Sequence, residues 1–264
     1  MDRRDVLAER PVERGRGFMP GVSVNPARVL FTAGLTGRNP DGSLVAGGMA
    51  PQTRRAFQRL AAVLAHVGAD FGAVVKQLVY VTDIEAYNAS GRAERGKFFG
   101  AARSASTGLV VRRLADPSML IEVELVVDLG GSPQGKALLE KFNVEQHPGD
   151  FFQGVIVNGG RLIYLAGQVA NNPDGSVAGI GDWPRQAEKI YENIGHVLRA
   201  AGATPASAVK ETTWVLSIDS WRQHGSPARR AFYQGDYPAS TLVEIPGLAK
   251  PEFLVEIEVI AAVA

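Results

Sequence analysis

One acidic phrase occurs twice in this chain. Leu120-Ile121-Glu122-Val123-Glu124-Leu125-Val126 returns near the C-terminus as Leu254-Val255-Glu256-Ile257-Glu258-Val259. Strict alternation marks each copy as a β-strand, with Val255, Ile257 and Val259 on one face and Glu256 and Glu258 on the other, less buried one. A lone strand glutamate is ordinarily a solvated, outward residue. The repetition sets these apart, because a carboxylate in a partly closed cleft can act as general base towards water, with burial raising its pKa into a useful range.

Other catalytic arrangements compete poorly. His66, His147, His196 and His224 are scattered and lack paired-histidine metal spacing. With no cysteine there is no disulfide, thiolate metal site or cysteine nucleophile. No Gly-x-Ser-x-Gly elbow is present, and the Gly-rich stretch near residue 130 lacks the lysine of a phosphate loop. No metal is expected.

The elements that must position the glutamates read clearly. Val29-Leu30-Phe31-Thr32-Ala33-Gly34 is a short apolar strand, and the turn Asn39-Pro40-Asp41-Gly42 follows it. From Pro51, the residues Phe57, Leu60, Ala61 and Leu64 share one side of an amphipathic helix that Gly68 can end. Val74 to Thr82 is rich in β-formers, about Ala86 to Ala102 is a second helix, and Gly108 to Val111 and Ile121 to Glu124 are strands. The order is β-β-α-β-α-β-β. Arg54, Arg55 and Arg59, at helical spacing opposite the apolar stripe, are expected to form a solvated face.

The same order then begins again. Asn172-Pro173-Asp174-Gly175 repeats the first turn 133 positions later, and from Gln52/Gln186 through Lys76/Lys210 and Ser106-Thr107/Ser240-Thr241 to Glu122/Glu256 the offset is a constant 134. This is a tandem duplication of two units of about 130 residues each, not a solenoid of short repeats. The expected division is residues 1–129, a turn-rich linker at 130–136, and residues 137–264. The 264 residues, 45% hydrophobic and 21% charged, have the composition of ordinary globular domains. A net charge of +1 without a basic stripe argues against nucleic acid as a partner. No apolar run follows Met1-Asp2-Arg3-Arg4-Asp5, so neither a signal peptide nor a membrane span is expected, and the location is read as cytoplasmic.

At this point the sequence resembles two fused copies of the RidA/YjgF family. The resemblance rests on Leu165-Ala166-Gly167-Gln168, the Asn172-Pro173-Asp174-Gly175 turn, Gly202-Ala203 before Val209-Lys210, Tyr237-Pro238-Ala239-Ser240-Thr241, and Val255-Glu256-Ile257-Glu258. It covers nearly the whole chain from about Gly17 apart from the linker, and the first half matches more loosely. It implies an α/β (α+β) fold of two chorismate-mutase-like, RidA-like domains, each a mixed β-sheet with two helices on one face. It also implies a homotrimer with clefts between subunits.

Family members with deaminase activity hydrolyse enamines and imines released by pyridoxal-phosphate enzymes, without a cofactor of their own. Their pattern uses an Arg in a Pro-x-Arg-Ser phrase to grip the substrate carboxylate, a Glu at the first acidic place of the last strand to position water, and a Tyr lining the cleft. The Glu is present as Glu256 and Glu122. Glu256 is the first candidate, because its half matches the family more closely, and Glu122 the second. Glu124 and Glu258 are read as structural. The Arg is replaced by Ser240 and Ser106, and the Tyr by Phe151 and Phe18.

A serine hydroxyl replaces neither the charge nor the bidentate fork of a guanidinium. Losing such a contact in a buried site costs about 2–5 kcal/mol, so a small 2-imino acid is not the expected main substrate. Ser240, Thr241, Ser106 and Thr107 offer neutral polar contacts, Gln168 a further one, and Phe18, Phe151, Trp214 and Tyr80 apolar walls, suited to a less charged or aromatic ligand. The expected function is cofactor-free hydrolysis or deamination of an enamine, imine or related C–N small molecule. The alternative is a non-catalytic, ligand-binding or regulatory protein that kept the cleft.

Overall fold

The computed structural model describes residues 28–102, 104–132, 135, 137–145 and 150–264, together with two short paired strands, β1 (Arg4–Val6) and β2 (Gly21–Ser23). Phe18 lies outside the described residues. The first half runs β3 (Arg28–Thr32), β4 (Leu35–Thr36), α1 (Met49–His66), β5 (Val74–Val81), α2 (Ile84–Ala86), a π-helical turn (Tyr87–Gly91), α3 (Arg92–Phe99), β6 (Ala105–Val110) and β7 (Ile121–Asp128). After β8 (Leu139–Phe142) and β9 (Gly154–Asn158), the second half continues with β10 (Arg161–Tyr164), α4 (Trp183–Ala200) and β11 (Ala208–Val215). It ends with α5 (Ile218–Ser220), a second π-helical turn (Trp221–Gly225), α6 (Ser226–Tyr233), β12 (Ala239–Glu244) and β13 (Val255–Val263). The order read from the sequence is present in both halves. The second helix of each is broken by a π-helical turn at the corresponding place.

Two mixed sheets result. One runs β6-β5-β7-β3-β9-β8 with β4 beside β7, and the other β10-β13-β11-β12. In each, a parallel pair (β5 with β6, β11 with β12) stands beside a long antiparallel strand (β7 or β13), with a register shift at Val74/Lys76 and again at Ala208/Lys210. The first sheet continues beyond the Gly-rich stretch, because β9 pairs antiparallel with β3 and β8 with β9.

Alternation decides what each strand buries. Val123, Leu125 and Val127 of β7 pack with Phe57, Leu60 and Leu64 of α1 and with Phe99 of α3. Val255, Ile257 and Val259 of β13 pack with Ile190, Ile194 and Leu198 of α4 and with Tyr233 of α6. The opposite faces of the two sheets pack against each other. Val29, Phe31, Val155 and Val157 meet Val209, Ala239 and Ala262, while Tyr80, Leu114 and Met119 meet Val243. Burial at such faces stabilises by about 25 cal/mol per Å² of apolar surface removed from water, so the two halves form one packed body.

Polar groups fix the alignment of the sheets. The Lys210 ammonium forms an ion pair with Glu124 at 2.7 Å and donates to Thr241 Oγ1 at 2.7 Å and to the Thr32 carbonyl at 3.3 Å. The Thr241 hydroxyl also donates to Glu124. Along the edge of β12, Gly34 N donates to Ser240 O at 3.2 Å, and Arg112 N and Glu244 N exchange hydrogen bonds with Glu244 O and Arg113 O. Fully satisfied, such a buried network favours one arrangement over slipped ones.

Candidate functional site

The junction between the sheets leaves a cleft of about 420 Å³. Gly34, Leu35, Thr36, Arg59, Met119 and Glu122 of the first half line it, and Phe151, Thr213, Trp221, Arg229, Ser240 and Leu242 belong to its other wall. Volume and apolar lining place it in the range of small-molecule sites.

Glu122 lies on β7 opposite Thr36 of β4 and opposite Tyr80 of β5. Its side chain sits over Gly34, where a Cβ would overlap the Glu122 carboxylate oxygen. The residue is buried, and loss of hydration pushes its carboxyl up to about 8, with Lys210 and Arg59 pulling it down and Glu124 pushing it further up. At neutral pH most molecules therefore carry a proton here. A neutral carboxyl on a cleft wall can give a proton to a basic nitrogen and, once ionised, take one from water.

Ser240 is brought beside Gly34 by the Gly34 N to Ser240 O bond, so Glu122 from one half shares the cleft with Ser240 and Phe151 from the other. The remaining residues singled out in the sequence lie elsewhere. Glu256 is half-buried above Gly167 in the second half and does not line this cleft. Gln168 pairs with Ile257 through its backbone and turns its amide back to the Ala166 carbonyl. Thr241 is consumed by the contacts with Lys210 and Glu124. Tyr80 is buried in the cluster between the sheets and Trp214 packs against it, so neither forms a wall of the cleft. Ser106 and Thr107 lie on β6, whose outer half is exposed, where β12 in the second half is covered.

One expectation is corrected. Arg54 is exposed and pairs with Glu94 at 2.9 Å, but Arg55 and Arg59 do not lie on a solvated helix face, because Glu145 folds back over α1. Arg55 reaches Glu145 at 3.0 Å and Arg59 reaches it at 2.7 Å, while Arg59 also donates to the Thr36 carbonyl at 3.2 Å. Arg59 is 8% exposed and forms part of the cleft wall. Across from it, Arg229 of α6 is equally buried and donates to Glu211 and, at 2.8 Å, to the Asp150 carbonyl. Glu211 is fully buried and also accepts from Tyr191 and Tyr233.

Sequence reasoning missed both arginines. At the constant offset the counterpart of Arg59 is Asn193, so its charge is not part of the repeat. Among the described residues no group of three or more His, Cys, Asp or Glu could hold a metal, and no helix is long and apolar enough to cross a membrane.

The model of a protein family described as Endoribonuclease L-PSP matches residues 16–129 and again 145–263. The chain belongs to this family. It is a tandem member of the L-PSP, or Rid/YjgF, family, with one copy in each half. A putative regulator AldR of Lactococcus lactis subsp. lactis (strain IL1403) is 34% identical over 116 residues, 44% of this chain and 88% of the relative. A 2-iminobutanoate/2-iminopropanoate deaminase of Rattus norvegicus is 29% identical over 113 residues, 43% of this chain and 80% of the relative. Among solved structures, the Rid family protein YyfB from Yersinia pestis is 33% identical and matches 48% of this chain and 100% of its own, with a TM-score of 0.44. The L-PSP relatives thus correspond to single halves of the present chain.

Proposed function

We propose that this tandem Rid protein hydrolyses the C–N bond of a small imine or enamine in the cleft between its two halves, with Glu122 as the proton-transferring group. The observation that carries the reading is the buried Glu122 carboxyl, raised to about 8, on the wall of a cleft built by both halves. The names of the deaminase relatives support the reaction class.

The chemistry needs only water. The Glu122 carboxyl protonates the imine nitrogen, or the β-carbon of an enamine, giving an iminium ion and a carboxylate. The carboxylate then takes a proton from the water whose oxygen bonds to the iminium carbon, giving a carbinolamine. Returned to the nitrogen, that proton makes ammonia the leaving group. As the C–N bond breaks, the carboxylate accepts the hydroxyl proton and the carbonyl product forms. One imine and one water become one carbonyl compound and one ammonia.

Ammonia release from freshly generated imines and enamines, neutral and anionic, tests this. Glu122→Gln is expected to lower kcat by about a hundred-fold or more, and Glu256→Gln to leave turnover within about two-fold of native. Absence of turnover above the uncatalysed rate, or a Glu122→Gln variant as active as native, overturns the reading. Ligand binding without turnover would leave a binding or regulatory role for the same cleft.

A further inference from the structure

The two halves differ at one strand edge. In the first half β9 lies antiparallel along the outer edge of β3, with Arg28, Val29, Leu30, Phe31 and Thr32 opposite Asn158, Val157, Ile156, Val155 and Gly154. In the second half β10, the counterpart of β3 at the offset of 133, is an edge strand with no neighbour on that side among the described residues. The consequence shows at one position. Phe31 is 2% exposed, whereas its counterpart Tyr164, opposite Ile260 of β13, is 68% exposed. An open edge that carries a large apolar ring is a docking place for a further strand.

The chain contains a strand that matches this edge. Gly154-Val155-Ile156-Val157-Asn158 of β9 has as its counterpart, at the same offset, Gly21-Val22-Ser23-Val24-Asn25, which includes β2. Only the middle residue differs. β2 is paired with β1 as β9 is with β8, and has no other strand neighbour among the described residues. On β9, Val155 and Val157 pack with Phe31 between the sheets, while Ile156 joins Leu30 on the α1 side. The connections are long enough. Arg28 is the partner of Asn158, three residues before Arg161, so Arg28 and Arg161 lie within about 16 Å of each other. The three residues from Asn25 to Arg28 span up to about 11 Å, and paired strands are about 5 Å apart, so residues 21–25 reach β10 of their own chain.

We propose that residues 21–25 of the same chain add antiparallel to the outer edge of β10, so that each half supplies a strand to the sheet of the other. The register follows from that of β9 on β3, with Asn25, Val24, Ser23, Val22 and Gly21 opposite Arg161, Leu162, Ile163, Tyr164 and Leu165. Val22 and Val24 then cover Tyr164 and Leu162 as Val155 and Val157 cover Phe31 and Val29. Arg161 and Asn25 repeat the pair in which Arg28 Nε donates to Asn158 Oδ1 at 2.8 Å. The pairing involves neither Glu122 nor a ligand, so it stands independently of the hydrolase reading.

The chain has no cysteine, so one engineered pair reports the contact. Partnered residues of antiparallel strands have Cα atoms about 4.5–5.5 Å apart, within the span of a disulfide. In the full chain, Val22→Cys with Tyr164→Cys is expected to close a disulfide in most molecules on mild oxidation, read as loss of both thiols at the mass of one chain. Val22→Cys with Ile180→Cys, a position also 68% exposed, is expected to stay reduced. Hydrogen exchange gives a second reading that needs no cysteine. Val22→Pro removes a ladder donor and is expected to speed exchange of the amides of residues 161–165 about ten-fold or more, with those of β3 unchanged. A 22/164 pair that stays reduced, or that closes only between two chains, overturns the proposal. So does exchange at residues 161–165 that is as fast in the native chain as in Val22→Pro. Closure of Val22→Cys with Phe31→Cys in preference to Tyr164→Cys would put residues 21–25 on β3 and overturns it as well.

Discussion

Gly34 has no side chain where the Glu122 carboxyl lies, and a Cβ there would overlap one of its oxygens. Gly167 stands in the same relation to Glu256 in the second half. The Ala-Gly pairs at 33–34 and 166–167 thus have a structural reason that the sequence states twice: each clears the space into which the glutamate of the neighbouring strand folds. Gly34 is not at positive φ, so the requirement is for room and not for backbone freedom.

Gly34→Ala is therefore expected to fold and to displace Glu122. A shift of about 1 Å at a reacting group costs about a hundred-fold in rate, so kcat for the imine substrate should fall by one to two orders of magnitude with a small change in KM. Gly167→Ala, displacing Glu256 instead, should leave the kinetics at native values. Steady-state ammonia release from the two variants checks both statements.

The raised Glu122 carboxyl makes stability depend on pH. Its pKa is about 8 in the folded chain against the ordinary glutamate value of 4.5, so between these values the folded state holds more protons than the unfolded one. Stability attributable to this group is full below about 4.5 and is lost as pH rises through 8. Glu122→Gln, which cannot ionise, should be the more stable protein at pH 9 by a few kcal/mol, on the order given by the shift. Urea denaturation at pH 5 and pH 9 measures the difference. The kcat/KM of the native protein should decline above pH about 8, because the proton-donating form is lost there.

Lys210 and Glu124 form the buried ion pair that joins the sheets. Lys210→Met leaves Glu124 buried without its counter-charge and should cost about 3–5 kcal/mol in denaturant unfolding. Lys76, its counterpart in the first half, is exposed. Lys76→Met should cost less than about 1 kcal/mol, and a comparable loss in both variants would refute the asymmetry between the halves.

Much of the architecture was legible beforehand, for particular reasons. The helix of residues 49–66 shows an apolar stripe at Phe57, Leu60 and Leu64, and β13 shows a two-residue alternation, and both periods are local properties. The duplication supplied a second reading of each element. Arg59 was not legible as a cleft residue, because the stripe of Phe57, Leu60 and Leu64 does not include it, and the Glu145 carboxylate and Thr36 carbonyl that bind it lie 86 and 23 positions away. Arg229 lies in a segment of the same kind. Its role depends on Glu211, 18 positions earlier, and on the Asp150 carbonyl, 79 positions earlier.

By itself the sequence determined the two-fold repeat, the strand and helix order of each half, and the candidacy of Glu122 and Glu256, because side-chain period and internal offset are readable along a single chain. Only the tertiary structure distinguishes the surroundings of the two glutamates. Glu122 and Glu256 occupy the same place in the same phrase, yet the first is 5% exposed in a cleft between the sheets and the second is half-buried outside it. The cause is the packing of one half on the other. The face of β7 bearing Glu122 and Glu124 is covered by Lys210, Ser240 and Thr241, while β13 presents Glu256 and Glu258 on a face covered only in part, and loss of hydration acts on whichever carboxyl its neighbours enclose.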